Sequence, residues 1–249
     1  MKLTVLASGS AGNGYVLEGR TSALIIECGV SPETAFCNTG IKPSKVSGCL
    51  VSHEHGDHAR YMERYARLGM PVFASEGTFI ERNATSLPRA FALRAERPAQ
   101  VGEFYVMPFA VEHDAREPLG FYISHPEGRL LFMTDLRMVP FTRCIVPHIF
   151  MIEANWSEDI LDGRVGRGEE DIDRAARIKN THLSLERACE FVRDNDGPTL
   201  KNVILLHLSD RNSNAAEFAA RMRENVRLAA VNVAAAGLTV ELKKDEFSI

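Results

Sequence analysis

The chain has 249 residues, of which 45% are hydrophobic and 25% charged, which is typical of a globular protein and excludes a disordered or low-complexity chain. Its 29 basic and 33 acidic side chains leave a formal net charge of −4, which argues against adhesion of the whole surface to polyanions, although a local basic stripe would suffice for nucleic acid. No apolar run is long enough to cross a bilayer, and the one at the amino terminus is too short for a signal peptide. We therefore expect a cytoplasmic protein without a membrane partner.

The first third of the chain is predicted to form short strands joined by tight, glycine-containing turns. Apolar or alternating runs place these strands at residues 2–7, 14–18 and 23–27. Ser31-Pro32-Glu33 has the polar cap, the early proline and the acid of a helix start, and Gly40 and Pro43 end that helix.

A cluster of metal-binding side-chain types follows the next apolar run, residues 48–52. His53, His55, Asp57 and His58 stand within six positions. Burying such groups in a charged form is costly unless something positive lies between them, and a divalent metal meets that need. Histidine nitrogen and carboxylate oxygen suit zinc, manganese or iron. A solvated polar loop is the alternative, and the density of the cluster counts against it.

Three further residues of ligand type each follow an apolar run that is predicted to be a buried strand. They are His113, Asp135 and His207. Because side chains at the carboxyl ends of such strands can meet at one rim of a sheet, these residues are expected to join the cluster. A site assembled from positions 53 to 207 requires most of the chain to fold as one unit, so we predict a single domain over residues 1–249.

Several amphipathic helices are predicted between and after these strands. They lie at residues 58–68, 169–180, 184–194 and 214–229. Arg60, Arg64 and Arg67 fall near helical spacing in the first of them and would make either a phosphate-binding stripe or a solvated face. Periodicity alone leaves two α/β arrangements open: two packed sheets covered by helices, or one doubly wound sheet.

The five cysteines are odd in number and contain no Cys-x-x-Cys spacing. This pattern favours reduced, packed thiols over a disulfide framework or a cysteine-based zinc site. Cys28 and Cys49 lie in apolar runs and are predicted to belong to the core. We assign neither a catalytic role.

The spacing of the histidine cluster and the later ligands resembles that of the metallo-β-lactamase-fold hydrolases, and more closely the YycJ/WalJ-like exonuclease branch. The segments that carry the finer resemblance are Ser8 to Asn13, Glu112 to Ala115, Thr134-Asp135-Leu136, Glu153-Ala154-Asn155, Thr181 to Ser184 and Leu206 to Ser209. The resemblance implies a four-layer αββα sandwich, with two mixed sheets face to face and helices outside. Glu27 stands where the superfamily usually has Asp, and a carboxylate there is expected to brace the histidine loop.

The resemblance also implies a division of the ligands between two divalent ions. His53, His55 and His113 would hold one ion, Asp57, His58 and His207 the other, and Asp135 would bridge them. A hydroxide shared by the two ions is the expected nucleophile, which Asp57 would help to orient.

Three residues outside the metal set are predicted to meet the substrate. The resemblance gives His182 contact with the scissile phosphate or protonation of the leaving oxygen, which are tasks that histidine suits at neutral pH. A helix-capping or interhelical histidine is the alternative. Ser10 and Asn13 belong to a glycine-rich turn whose backbone amides could cradle an anion, although a plain tight turn explains the same pattern.

These expectations lead to a metal-dependent phosphodiesterase, and the branch resemblance points to a 5′-to-3′ exonuclease on DNA. A hydrolase of RNA or of a small cyclic phosphodiester would use the same site. A metal-stabilised interaction module without turnover is the alternative from another class, and the complete ligand set counts against it. The sequence does not fix the oligomeric state, so a homo-oligomer stays open.

Overall fold

The structure, a computed structural model, describes residues 1–242. The chain divides into two compact units. Among the described residues, the first unit comprises Met1–Ala110, Ala115–Leu130 and residues 235–242, and the second comprises Val111–Asp114 and Leu131–Ala234. The histidine cluster therefore belongs to the first unit, whereas His113, Asp135 and His207 belong to the second.

Fourteen strands lie in the described part of the chain. They are β1 Lys2–Ala7, β2 Gly14–Glu18, β3 Ala23–Ile26, β4 Val46–Leu50, β5 Val72–Ser75, β6 Ala90–Leu93, β7 Ala99–Val101, β8 Phe104–Ala110, β9 Leu119–His125, β10 Gly128–Met133, β11 Ile149–Glu153, β12 Asn202–Leu206, β13 Ala230–Val233 and β14 Thr239–Glu241. The first three confirm the strands predicted near the amino terminus.

The strands form two seven-stranded sheets, in the orders β14-β1-β2-β3-β4-β5-β6 and β13-β12-β11-β10-β9-β8-β7. In the first sheet β14, β1, β2 and β3 pair antiparallel, whereas β3 to β6 run parallel. In the second sheet β7 to β9 pair antiparallel and β11 to β13 parallel. Because parallel strands end at the same edge, the residues after β3 and β4 share one edge of the first sheet, and those after β11 and β12 share one edge of the second.

Eight α-helices are described, four in each unit. They are α1 Pro32–Thr39, α2 Gly56–Ala59, α3 Met62–Arg67, α4 Glu76–Glu81, α5 Glu158–Gly166, α6 Ile172–Thr181, α7 Leu185–Asp194 and α8 Ala215–Arg223, with a 3₁₀ turn at Pro43–Lys45. The predicted caps of α1 are present: Ser31 Oγ accepts from Thr34 N, and Gly40 adopts φ 70°. No helix among residues 1–242 combines the length and the apolar character needed to traverse a membrane.

The helix predicted over residues 58–68 is two helices, α2 and α3, with a break at Arg60 and Tyr61. The reason lies in the carbonyl groups that a continuous helix would need. The Asp57 carbonyl accepts from Asn13 N at 2.7 Å, and the His58 carbonyl accepts from Cys28 N at 2.7 Å. Tyr61 N donates instead to the Cys28 carbonyl at 2.9 Å. The histidine loop is thus fastened to the turns that follow β1 and β3.

The later helices differ from the prediction at their ends. α6 begins at Ile172, not near 169, because Asp171 caps it by accepting from Asp173 N and Arg174 N. α8 ends at Arg223, six residues before the predicted end. The sequence did not predict α5, whose buried Leu161 packs with Trp156 and Ala175. Cys28 and Cys49 are buried as expected, and all five cysteines are free thiols.

Candidate metal centre

The histidine loop of the first unit follows β4 and brings three imidazoles together. The ring centroid of His53 lies 4.6 Å from that of His55 and 4.2 Å from that of His58. His53 and His58 are buried, and Ser52 Oγ lies 2.9 Å from His53 Nδ1. That contact makes Nε2 of His53 the nitrogen that would bind a metal.

Glu27 braces this loop, as the sequence led us to expect. Its side chain is fully buried and accepts from Ser52 N at 3.3 and 3.4 Å. One carboxylate oxygen lies 3.4 Å from His58 Nδ1. A single buried carboxylate therefore fixes both the start of the loop and the ring of its last histidine.

Asn13 holds the other side of the same loop. Its side chain accepts from Gly9 N at 2.9 Å and lies 3.2 Å from Asp57 Oδ2 and 3.0 Å from His58 Nε2. Asn13 is completely buried, whereas Ser10 in the same turn is exposed. Asn13 thus positions Asp57 and His58, and a contact of Asn13 or Ser10 with substrate stays a prediction.

The second unit gathers its own group of ligand-type residues. Asp135 Oδ1 lies 3.8 Å from His113 Nε2, 3.9 Å from His207 Nε2 and 3.5 Å from His182 Nδ1. Thr134 Oγ1 donates to Asp135 Oδ2 at 2.6 Å. The Thr181 carbonyl lies 2.7 Å from His113 Nδ1, which points Nε2 of His113 toward Asp135.

Glu153, the last residue of β11, lies at the centre of this group, although the sequence alone assigned it no role at the site. Its fully buried carboxylate accepts from Leu136 N and Leu183 N, both at 3.0 Å, and lies 2.7 Å from His182 Nδ1 and 3.6 Å from His207 Nδ1. The signal was present, because Glu153 ends an apolar run in the same way that Asp135 and His207 follow theirs. Its ligand-type atoms and those of Asp135, His182 and His207 lie within 4.8 Å of one another.

The electrostatics of this group follow from burial and close charge. Burial lowers the pKa of His113 below its ordinary value, although Asp135 opposes the shift. For His182 burial also works against the charged ring, but the neighbouring Glu153 and Asp135 outweigh it and raise the pKa. Burial would raise the pKa of Glu153, yet the charge and the hydrogen bonds of His182 and His207 hold it below its ordinary value. Glu153 and His182 thus behave as a buried ion pair.

Three of the acidic and imidazole residues at the candidate site adopt a left-handed backbone. Glu27, Asp135 and His207 have φ values of 66°, 50° and 51°. Each stands just beyond the end of its strand, where the chain must turn sharply to leave the sheet. Such conformations are uncommon outside glycine and cluster at functional sites.

Both groups have the chemistry of a divalent-metal site. Gathering several imidazoles and carboxylates in a buried group carries desolvation costs, and like groups repel one another when charged, unless a cation compensates them. Nitrogen and oxygen donors of this kind suit zinc, manganese and iron. The residues present therefore fit bound divalent metal.

Comparison with known proteins identifies the family. The sequence matches the Beta-lactamase superfamily domain over residues 26–208. The chain belongs to the β-lactamase superfamily. It is 31% identical over 221 residues to "Exodeoxyribonuclease YycJ" of Bacillus anthracis, covering 84% of this chain and 83% of that one. It is 27% identical over 227 residues to "Exodeoxyribonuclease WalJ" of Streptococcus pneumoniae, covering 85% and 83%. The expected resemblance to the YycJ/WalJ branch is confirmed.

Two solved structures share the fold of this chain. The metallo-β-lactamase fold protein YhfI from Bacillus subtilis superposes with a TM-score of 0.74 at 15% identity, covering 96% of this chain and 99% of that one. Zn²⁺-bound PqqB from Methylobacterium extorquens gives a TM-score of 0.73 at 13% identity, covering 97% and 100%. These neighbours confirm the predicted four-layer α/β fold class. The nuclease names of the homologues also confirm the expectation of a hydrolytic enzyme.

Proposed function

We propose that this β-lactamase-superfamily chain is a dinuclear-metal-dependent phosphodiesterase that acts as a 5′-to-3′ exonuclease on DNA. One observation carries the proposal. Each unit holds its part of the candidate site in a buried, braced group. In the first unit the histidine loop lies between Glu27 and Asn13, and in the second unit the candidate ligands Asp135 and His207 and the candidate substrate-binding His182 surround Glu153. Rigid bracing of this kind is what a catalytic metal site requires and what a solvated surface loop lacks.

The proposed ligands divide between two ions. His53, His55 and His113 hold one, Asp57, His58 and His207 hold the other, and Asp135 is shared. Two divalent ions, when bound, would supply an activated water and neutralise the charge of the phosphodiester. Zinc, manganese and iron all suit this donor set.

His182 is proposed to act on the substrate rather than on a metal. Its Nδ1 is engaged by Glu153 at 2.7 Å, and its carbonyl accepts from Trp156 Nε1 at 3.0 Å, so both the ring and the backbone are held. An imidazole fixed through Nδ1 presents Nε2 to the scissile phosphate or to the leaving oxygen. The ion pair with Glu153 favours the protonated ring that either task needs.

Asp57 is proposed to orient the attacking water as well as to bind metal. Its side chain is partly exposed, and Asn13 and His58 contact Oδ2 at 3.2 Å. A partly exposed carboxylate held in this way can also accept a hydrogen bond from a water molecule. This arrangement suits a group that must accept a proton while staying in place.

The homologues support the choice of substrate. Two relatives aligned over 84–85% of this chain are named exodeoxyribonucleases. A net charge of −4 means that contact with DNA must come from local cations near the site rather than from the whole surface. Arg60 is one such cation, since it is exposed, lies directly after α2 and donates to the Ala11 carbonyl.

The test is hydrolysis by metal-loaded protein, with a chelated sample as control. The substrates are end-labelled single- and double-stranded DNA, RNA of the same sequence and a cyclic dinucleotide. Release of labelled mononucleotide from a 5′-labelled DNA strand, with a 3′ label retained until the end, is the expected result. If only the cyclic dinucleotide or only RNA is hydrolysed, DNA would be wrong as the proposed substrate. If the metal-loaded protein cleaves none of these substrates, the alternative of a metal-stabilised interaction module without turnover would be favoured.

A further inference from the structure

A cavity of about 360 Å³ lies in the second unit between α7 and the loop that follows Asp135. It is lined by Met138, Val139, Phe141, Arg187, Glu190 and Phe191, among others. Its size falls within the range of small-molecule binding pockets. Neither the metal ligands nor His182 lines it.

The cavity is connected to the candidate metal group by a short, braced segment. Asp135 is followed by Leu136, whose N–H donates to Glu153 at 3.0 Å. The next carbonyl, that of Arg137, accepts from Arg187 Nη1 at 3.0 Å. Met138 then forms part of the cavity wall, three residues after Asp135. The cavity wall is therefore joined to the candidate metal group through Leu136 and Arg137, which are both hydrogen-bonded.

Hydrogen bonds and aromatic packing hold the wall of the cavity. The buried side chain of Asn195 accepts from Cys144 N and donates to the Thr142 carbonyl, both at 3.0 Å. These bonds fasten the loop to the end of α7. Phe141 meets Phe191 edge to face, with 5.8 Å between ring centroids. The aromatic wall is thus held in place before binding.

The chemistry of the wall suits a nucleotide. Met138 is 44% exposed, and together with Phe141 it offers an apolar surface for one face of a base. Arg187 is exposed, and its Nη1 is held by the Arg137 carbonyl at the cavity wall, so its guanidinium can meet a phosphate. The carboxylate of Glu190 can accept from the exocyclic amino group of a base. A simple anion would not need the apolar wall, and a lipid would not need Arg187 and Glu190 together.

We propose that this cavity binds the base of a nucleotide adjoining the scissile phosphodiester, with Met138 and Phe141 against the base and Arg187 on a phosphate. The proposal rests on the proposed function and specifies how that site holds its DNA strand. A base anchored in this cavity would set which phosphodiester is presented for cleavage. It would also account for stepwise removal of nucleotides from an end.

The test compares two single-stranded oligonucleotides that carry a fluorophore at the 3′ end and nuclease-resistant linkages at the 5′ end. One has normal bases, and the other is abasic at its first two 5′ positions. We expect metal-loaded wild-type protein to bind the normal strand about tenfold more tightly, as measured by fluorescence anisotropy. Phe141→Ala should remove most of that preference by weakening the normal strand alone. Arg187→Ala should weaken both strands.

Two control variants test whether the loss of any exposed phenylalanine or arginine, rather than one at the cavity, changes DNA binding. Phe91→Ala removes an exposed phenylalanine that stacks on Phe73 in the first unit, and Arg223→Ala removes an exposed arginine on α8. Both should bind like the wild type. If Phe141→Ala is unfolded by circular dichroism, Met138→Ala at the exposed rim replaces it, and a preference reduced at least threefold is expected.

The outcomes distinguish this proposal from the proposed function. Equal affinity of wild-type protein for the normal and the abasic strand would overturn the base-binding cavity even if DNA is cleaved. If the protein binds the normal strand more tightly but does not cleave DNA, the result would support base binding in the cavity and contradict the proposed exonuclease activity. Absence of binding to either strand would overturn both.

Discussion

Glu153 lies 2.7 Å from Nδ1 of His182 while its other oxygen accepts the N–H of Leu183, the next residue in the chain. One buried carboxylate thus fixes both the ring and the backbone of the histidine that we place on the substrate. The same carboxylate also accepts from Leu136 N, directly after Asp135. The candidate chemistry of the second unit therefore depends on a residue that itself need not touch substrate.

Glu153→Gln should lower kcat by about 10- to 100-fold. The neutral amide has only one acceptor oxygen for the two backbone N–H donors and no negative charge to hold the two histidine rings. Metal content after dialysis should fall as well, whereas KM for a short DNA strand should change little. Steady-state kinetics and elemental analysis measure these quantities. Glu224→Gln, at the exposed end of α8, is the control and should match the wild type. Full activity of Glu153→Gln would contradict the positioning role.

Asp57→Ala should abolish phosphodiester cleavage while leaving the fold intact, since Asp57 is partly exposed and its backbone bonds do not involve the side chain. Circular dichroism and thermal unfolding should show a Tm close to that of the wild-type protein when both are metal-free. Asp173→Ala, an exposed acid in the first turn of α6, serves as the matched control. Unchanged cleavage by Asp57→Ala would refute the assigned role.

Glu27→Ala should lower the free energy of unfolding by about 1–3 kcal/mol, because the buried Ser52 N–H would lose its acceptor. Glu27→Asp should cost less. Aspartate tolerates a φ of 66° better than glutamate, which offsets part of the reach lost with one methylene. Urea denaturation of metal-free protein gives both values. The proposed brace would be wrong if the alanine variant were as stable as the aspartate variant.

Glu103 provides a pH-dependent contribution to stability. Its carboxylate accepts from Thr21 N at 3.0 Å and Ser22 N at 2.9 Å and lies 3.2 Å from His125 Nε2. Burial would raise its pKa, but these hydrogen bonds outweigh burial and hold the pKa at about 2. Because this pKa lies below the ordinary value, the folded state binds fewer protons. The stabilisation is therefore fully present above about pH 4.5 and is lost as the pH falls toward about 2.

Glu103→Gln should remove that contribution. The variant should have a lower free energy of unfolding at neutral pH, and its loss of stability on acidification should be shallower than that of the wild type. Urea titrations at a series of pH values between about 6 and about 3 measure both effects. Glu224→Gln is again the control. Parallel stability curves for Glu103→Gln and wild type would rule out the linkage.

Chelation provides the remaining test. Removal of metal should abolish cleavage and lower the Tm, because ions bound only by the folded state stabilise it by mass action. Restoring zinc or manganese should recover both properties, and the recovery of Tm does not depend on choosing the right substrate. A Tm that is indifferent to chelation and to added metal would contradict the proposed ligand set.

The sequence was sufficient for features governed by local patterns. The apolar runs of β1, β2 and β3 and the caps of α1 follow directly from side-chain type and spacing. The break between α2 and α3 was not predictable, because it depends on Asn13 and Cys28 taking the carbonyls of Asp57 and His58. α5 was missed since it contains Gly163 and Gly166 and depends on tertiary packing of Leu161.

The site was predictable in part for the same reason. Histidine and aspartate directly after strands can be identified in the sequence as candidate metal ligands. The role of Glu153, in contrast, depends on its contacts with residues 136, 182 and 207, which are distant in sequence. Asn13 shows the converse. Its glycine-rich turn suggested an anion cradle, yet its side chain is turned to Asp57 and His58.

The left-handed backbone at Glu27, Asp135 and His207 limits which replacements these positions can accept. Valine, isoleucine or threonine would meet a steric penalty there whether or not the side chain contacts a metal. Apart from glycine, asparagine, aspartate and histidine suit the turn best, and their side chains can also supply an oxygen or nitrogen ligand to a cation. The backbone conformation therefore restricts substitution at these strand ends to a few residue types, and several of those types can bind metal.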